Sequence, residues 1–371
     1  MRLYDTARQE VVDFTPGPVV TMYTCGITPY DAAHLGHAAT YITYDVLQRR
    51  LRDRGHETRC VRNVTDVDDD ILRKARELGV HYLDLAAREM ARFDACMEAL
   101  DLLDSWSEPR ATSAIADIRG FIGMVLDQGF AYEAGGAVYF DVGSFPRFGR
   151  ISHLSREEML VLAAERGGNI DDPNKRDPLD FVLWQPSAED EPAWESLWGP
   201  GRPGWHIECS ALALRELDTT IDLHGGGADL IYPHHECEAA QSEAATGQPF
   251  VRHWMHQAMV RMDGEKMSKS LGNLVFVHDL LQDHDARAIR LAVVAHHYRD
   301  SWEWDDTTMP EADARLERWS AAGAGDGALA EVRAALDDDL DTPAAVAAID
   351  AAAASGQGVS DAAVLLGVRL A

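Results

Sequence analysis

The chain has 371 residues, with 34 Lys or Arg against 62 Asp or Glu, so its formal net charge is −28. Hydrophobic residues make up 46% and charged residues 26%, which are globular proportions sufficient for a buried core in two or three domains. So acidic a chain repels phosphate backbones, it holds no run of about 18 apolar residues to span a membrane, and its first residues lack the apolar centre of an export signal, so a cytoplasmic protein without a membrane partner is expected.

Residues 19–25 are an apolar run that reads as a strand, followed by the turn Gly26-Ile27-Thr28-Pro29. Apolar positions such as Ala38, Ile42, Val46 and Leu47 then recur on one face of a helix over about 33–54, with Gly55 where a C-cap falls, and 57–62 reads as a second strand. Strand, turn, helix, strand is the opening of a parallel α/β unit. Residues 66–128 read as successive helices broken near Gly79, Ser107 to Pro109 and Gly129. Strands are expected at 137–142 and 181–185, a short helix at 157–166, and a loop rich in Pro, Gly, Glu and Trp over 187–204. A helix at 206–216, a strand at 219–223, a helix at 234–245 and a strand at 251–262 follow, the last leading to the turn Asp263-Gly264. Residues 271–319 read as mostly helical. Residues 321–371 hold 18 Ala, eight acidic residues and two Arg, and read as a small helical tail for docking or spacing.

Five constellations could carry chemistry. His34-Leu35-Gly36-His37 sits where a helix opens, and a helix N-terminus offers unpaired N–H groups to phosphate; a pair of surface histidines at a cap is the plain alternative. Lys266-Met267-Ser268-Lys269-Ser270 could offset charge on a departing pyrophosphate, or be an ordinary solvated basic loop. Cys25, Cys209, His234 and Glu238 are all ordinary zinc-ligand types, with the last two at i, i+4 on one helix face, but nothing in their spacing shows that they meet. The five cysteines are odd in number and scattered, which suits a metal or reactive thiol better than a disulfide framework. Gly225-Gly226-Gly227-Ala228-Asp229 would let a backbone approach a ligand, and a tight turn explains it equally well. Asn63-Val64-Thr65 precedes an acidic run that reads chiefly as a helix cap, which leaves Asn63 and Thr65 to line a strand end.

The first two motifs, in this order and spacing, resemble the two signatures of the class I aminoacyl-tRNA synthetases. Cys25-Gly26, Gly204-Trp205-His206-Ile207-Glu208-Cys209, and His224-Gly225-Gly226-Gly227 leading to Pro233-His234-His235-Glu236 are similar to the cysteine-activating branch. That branch includes the tRNA-charging enzyme and a shorter ligase that joins cysteine to the amine of glucosaminyl-inositol in mycothiol biosynthesis. The likeness covers about residues 3–319. It implies a Rossmann-like catalytic domain over 1–270, with a parallel sheet, helices on both faces, a zinc site and an inserted connective region at about 66–200. A helical stem and short Ala-rich tail over 271–371 would follow, without an anticodon-binding domain.

The resemblance also implies roles for residues. Cys25, Cys209 and His234 would hold one Zn2+, with Glu238 a candidate fourth ligand. ATP would be a substrate accompanied by Mg2+, its phosphates met by His34 and His37, with Lys266 and Lys269 on the leaving pyrophosphate. Gly26, Ile27, Thr28, Thr40, Asn63, Val64, Thr65, Trp205, Gly227, Ala228, Asp229 and Val260 would contact the adenylate. Ile27-Thr28, the block Glu165-Arg166-Gly167-Gly168-Asn169 with Pro173 and Lys175, and an end soon after Asp341-Thr342-Pro343 resemble the amino-sugar ligase. Glu238, Leu271 and Asp69-Asp70-Ile71-Leu72 resemble the tRNA enzyme. The partners expected are therefore L-cysteine, ATP and a small amino-sugar acceptor, with tRNA(Cys) as the alternative acceptor. A binding paralogue without catalysis is the reading from another class, and a monomer is expected.

Overall fold

The computed structural model describes residues 1–30, 33–267 and 272–370. The elements that build its centre are β1 (Val19–Ile27), α1 (Leu35–Asp53), β2 (Glu57–Val64), α2 (Trp205–Leu217), β3 (Leu223–Gly227), α3 (Glu236–Thr246), β4 (Trp254–Gln257) and α4 (Ala286–Val294). The four strands form one sheet in the order β4-β3-β1-β2, and every neighbouring pair is parallel. Both faces of the sheet are covered, which is why β1 is apolar almost without interruption. Val20 and Met22 enter the core that holds Ala38, Ile42 and Val46 of α1. Tyr23 and Cys25, on the opposite face by strand alternation, enter the core that holds Ile207, Ala211 and Leu212 of α2 and Ala239 and Ala240 of α3.

The expected α/β class holds, and several elements differ in place. The glycine run expected as a turn is itself β3, which takes in only Leu223 of the strand expected at 219–223, while Ile221 makes an isolated bridge. Close packing explains the difference. A Cβ at Gly225 would lie 2.0 Å from the Tyr44 hydroxyl and 2.3 Å from the Met255 carbonyl oxygen, so only glycine fits between α1 and β4. The strand expected at 251–262 is divided between β4 and Val260–Met262, which joins a separate three-stranded sheet with Glu265–Lys266 and Trp302–Glu303. The helix expected from 234 begins as a π turn over Ile231–His235 before α3. The hairpin Arg2–Asp5 with Glu10–Asp13 was not expected.

Between β2 and α2 lie the helices Asp69–Leu78, Tyr82–Ala99 and Ile115–Asp127, and an antiparallel sheet of Ala131–Ala134, Ala137–Phe140, Phe181–Pro186 and Gly201–Pro203. Gly201–Pro203 falls inside the region expected as loop. The helices Thr308–Ala322, Leu329–Asp337 and Thr342–Ala354 share the core of α1 and α4. Among the described residues no helix is long and apolar enough to cross a membrane.

Candidate active site and metal centre

Cys25 lies towards the carboxyl end of β1, Cys209 in the second turn of α2, His234 in the π turn and Glu238 in the first turn of α3. All four are buried, and one donor atom from each lies within 4.8 Å of the others. A second group, Cys25, His224, His235 and Glu238, overlaps the first within the same distance. Glu238 is fixed from both sides: its Oε1 is 2.9 Å from His234 Nε2 and its Oε2 is 2.9 Å from His224 Nε2. Cys25 Sγ stands 3.3 Å from His235 Nε2, His235 Nδ1 is 2.7 Å from His256 Nε2, and His256 Nδ1 is 2.7 Å from the Thr6 hydroxyl. His206 Nδ1 lies 2.9 Å from His234 Nδ1, and the Gln241 amide donates to the His206 carbonyl at 2.6 Å. Two sulfurs, an imidazole nitrogen and a carboxylate oxygen converging away from bulk water form a donor set that suits a tetrahedral divalent ion of the zinc kind.

The charges in this cluster are set by burial and by each other. A hydrogen bond from Cys25 outweighs burial and brings the Cys209 thiol down to about 6. Burial pushes the Cys25 thiol well above its ordinary range, and the hydrogen bond to Cys209 adds to this. Burial alone would lower His234, but Glu238 and Cys209 outweigh it and raise the imidazole to about 10. Burial alone would raise Glu238, but His224 and His234 hold it down at about 2. At neutral pH one proton therefore sits on Cys25 and one on His234. Both must leave when a metal takes those atoms. Entry of Zn2+ at pH 7 should release about two protons per ion, and affinity should fall roughly a hundredfold per unit of acidification. Titration calorimetry in buffers of different ionisation enthalpy reads the number directly, and a release near zero would contradict this charge pattern.

Above the cluster, the carboxyl ends of β1 and β2 form a ledge. The Gly26 amide donates to Asn63 Oδ1 at 2.8 Å, Asn63 Nδ2 to the Thr65 hydroxyl at 3.1 Å, and the Thr65 amide to the Ile27 carbonyl at 3.0 Å. Ile27 pairs with Val64 in register, and the Thr28 hydroxyl lies 3.5 Å from Asp68 Oδ2. A Cβ at Gly26 would fall 1.5 Å from the Asn63 carbonyl oxygen, so the two strands can meet here only through glycine. Strand carboxyl ends are where open α/β sheets bind ligands. His34 is the N-cap of α1, and its ring stacks on His37 at 3.7 Å between centroids. The Thr40 hydroxyl donates to the Gly36 carbonyl at 3.1 Å. A Cβ at Gly227 would meet Asp229 Oδ1 at 2.6 Å and Thr40 Oγ1 at 4.0 Å, so these three residues share one rim, with Ala228 opening the turn between Gly227 and Asp229. Trp205 opens α2 with its ring 4.2 Å from the His234 ring. Val260 accepts the Met267 amide at 3.3 Å, which sets it beside the strand that carries Lys266. Lys269 lies outside the described residues.

Sequence reasoning assigned no role to His256, which carries no local signal, and left Arg166 only as part of a block. The Arg166 guanidinium donates to the carbonyls of Asp229 and Tyr232, and so ties the inserted region to the turn between β3 and His234.

The first strand of the parallel sheet thus leads through Cys25 of the donor cluster towards the paired-histidine N-terminus of α1. The family described as tRNA synthetases class I (C) catalytic domain matches residues 12–314, and the chain belongs to it. The solved methionyl-tRNA synthetase of Mycobacterium tuberculosis in complex with methionyl-adenylate shares the fold, with a TM-score of 0.66 at 16% identity over 90% of this chain and 82% of that one. Within the family, the chain is similar to enzymes named L-cysteine:1D-myo-inositol 2-amino-2-deoxy-alpha-D-glucopyranoside ligase. The one from Nocardiopsis dassonvillei is 51% identical over 95% of this chain and 88% of its own length. The one from Thermobispora bispora is 50% identical over 97% and 91%. The chain is thus an enzyme of the ligase class.

Proposed function

We propose that the protein uses ATP to activate L-cysteine as cysteinyl-adenylate and transfers the cysteinyl group to the amine of glucosaminyl-inositol, a step of mycothiol biosynthesis in the cytoplasm. The observation that carries this reading is the match, along almost the whole chain, to relatives named for that reaction. The buried two-cysteine cluster supports it, since a soft donor set suits an ion that must take a thiolate.

In this reading Cys25, Cys209 and His234 hold one Zn2+, with Glu238 as fourth ligand or as the partner that orients His234. Zinc would supply a soft Lewis-acidic centre that prefers the thiolate of cysteine to the hydroxyl of serine. Trp205 walls the amino-acid side of the site. Gly26, Ile27, Thr28, Asn63, Val64 and Thr65 form the ledge for the adenylate, and Thr40, Gly227, Ala228, Asp229 and Val260 form its rim. A cysteine carboxylate oxygen attacks the α-phosphorus of ATP, and the bond to pyrophosphate breaks. His34, His37, Lys266 and Lys269 offset the charge that develops on the departing group, and Mg2+ would accompany the ATP phosphates. The acceptor nitrogen then attacks the activated carbonyl carbon, AMP leaves with the carbon–oxygen bonding electrons, and the nitrogen gives up a proton. Residues 1–270 form the catalytic domain, with 271–371 as stem and tail, and the enzyme works as a monomer.

The test is direct. Zinc-loaded protein should exchange labelled pyrophosphate into ATP only when cysteine is present. Addition of glucosaminyl-inositol to the preformed adenylate should then yield an amide and free AMP. The tRNA-charging reading keeps one observation in its favour, the placement of the Glu238 carboxylate within the donor cluster. Product on tRNA(Cys) and none on the amino sugar would overturn our assignment.

A further inference from the structure

Arg166 ends the helix Arg156–Glu165, its amide donating to the Leu162 carbonyl at 3.0 Å. Gly167 follows with a φ of +86°, a left-handed turn that stops the helix and leaves the Arg166 side chain at its open end. From there the guanidinium crosses out of the inserted region and donates to two backbone carbonyls of the segment between β3 and α3, those of Asp229 and Tyr232.

That segment does not supply the usual donors at these two carbonyls. In a regular helix each carbonyl is bonded by the amide four residues on. For Asp229 that residue is Pro233, which has no N–H. For Tyr232 it is Glu236, whose N–H goes to the carbonyls of Ile231 and Pro233 instead, and Tyr232 itself is extended, with φ −137° and ψ 136°. One guanidinium thus serves both interruptions. The far end of the segment is held separately. The Glu236 carboxylate accepts the amides of Gly149 at 2.9 Å, Ile151 at 3.0 Å and Ser152 at 2.9 Å. Two ties therefore join the inserted region to residues 229–236, one at Asp229 and the other beyond His234. The Asp229 end is the one that shares the rim with Gly227 and Thr40.

We propose that Arg166 is a positioning residue of the adenylate site: it supplies the donors that the interrupted helix lacks at Asp229 and Tyr232, and so holds Asp229 on the rim. The inference rests on the reading that Asp229 borders the adenylate, but not on which acceptor the enzyme uses. Glu236 keeps the other end of the segment in place, so the loss of Arg166 should fall on ligand binding and not on the fold.

The test measures, by titration calorimetry, the affinity of the full chain for a sulfamoyl analogue of cysteinyl-adenylate, which cannot transfer its acyl group. Arg166→Ala should bind it about 10-fold more weakly, with the stoichiometry and the urea midpoint of the wild type. Wild-type affinity in the variant, or a fall in stoichiometry alone as the folded fraction drops, overturns the proposal. In an Asp229→Ala background the same change should cost less than about 2-fold more, because two residues that act as one do not add. A further loss of about 10-fold there would mean that Arg166 acts elsewhere, and it also overturns the proposal. If Arg166→Ala does not fold, Arg166→Lys keeps the charge but not the two-carbonyl reach, and should show a smaller loss in the same direction; unchanged affinity overturns the proposal in that arm. Wild-type protein that does not bind the analogue overturns the adenylate reading itself, an outcome distinct from failure at Arg166 alone.

Discussion

Cys209→Ala should yield a folded protein that retains no zinc after dialysis and shows no cysteine-dependent exchange of pyrophosphate into ATP. The side chain is 1% exposed and sits inside the core between α2 and the sheet, so its replacement by alanine removes one sulfur and leaves the backbone of α2 undisturbed. The effect on the metal is of another order. Outer-shell changes alone cost 10- to 100-fold in metal affinity, and loss of one of the two sulfurs should exceed that range. It also removes the group that, with Glu238, holds His234 charged. Cys60 and Cys96 supply the control. Both are buried on the α1 side of the sheet, in the other core, so Cys60→Ala and Cys96→Ala should keep metal and exchange activity. Metal content near one per chain with normal exchange in Cys209→Ala would remove Cys209 from the site.

The contrast between these thiols shows what a sequence can and cannot carry. Five scattered cysteines look alike in the chain. Cys25 and Cys209 become a pair only because the end of β1 packs against the second turn of α2, a contact across about half the sequence. The spacing of 25, 209, 234 and 238 holds no trace of that contact, and only resemblance to a known family joined them beforehand. The Rossmann-like centre was readable because strands buried on both faces must be largely apolar, as β1 is. β3 was not readable for the opposite reason. Its glycines are demanded by neighbours on both sides, Tyr44 of α1 and Met255 of β4, and a residue chosen to make room leaves no propensity signal. His256 was silent for a third reason. It looks like an ordinary strand residue, and its chemistry lies in what the opposite elements turn towards it.

Arg290→Met should show the reverse pattern, a loss of stability with the chemistry intact. Arg290 of α4 is 1% exposed, and its guanidinium binds Asp45 of α1, the Leu100 carbonyl at 2.9 Å and the Leu366 carbonyl at 2.6 Å. One side chain thus joins α1, the inserted helices and the tail. Removing one partner of a buried pair costs about 3–5 kcal/mol, because the other charge is left uncompensated. Asp45 keeps Arg49 and the Leu103 amide, each at 2.7 Å, so the lower end of that range is expected, while two carbonyls lose their donor. Urea unfolding followed by tryptophan fluorescence should measure it, and a change below about 0.5 kcal/mol would mean that the clamp is ornamental. Asp45→Asn combined with Arg290→Met should cost less than the two changes added, since the double variant buries no unpaired charge. Gly367 gives an independent handle on the same contact. It has a φ of +74°, and a Cβ there would lie 2.2 Å from the Arg290 guanidinium carbon, so Gly367→Ala should push the tail off this clamp and weaken the fold in the same sense. None of these residues touches the donor cluster or the ledge. At a temperature where Arg290→Met remains folded, cysteine-dependent exchange should therefore match the wild type, whereas a lost exchange with retained fold would mean that the tail acts on the site through α1, whose first residues carry His34 and His37.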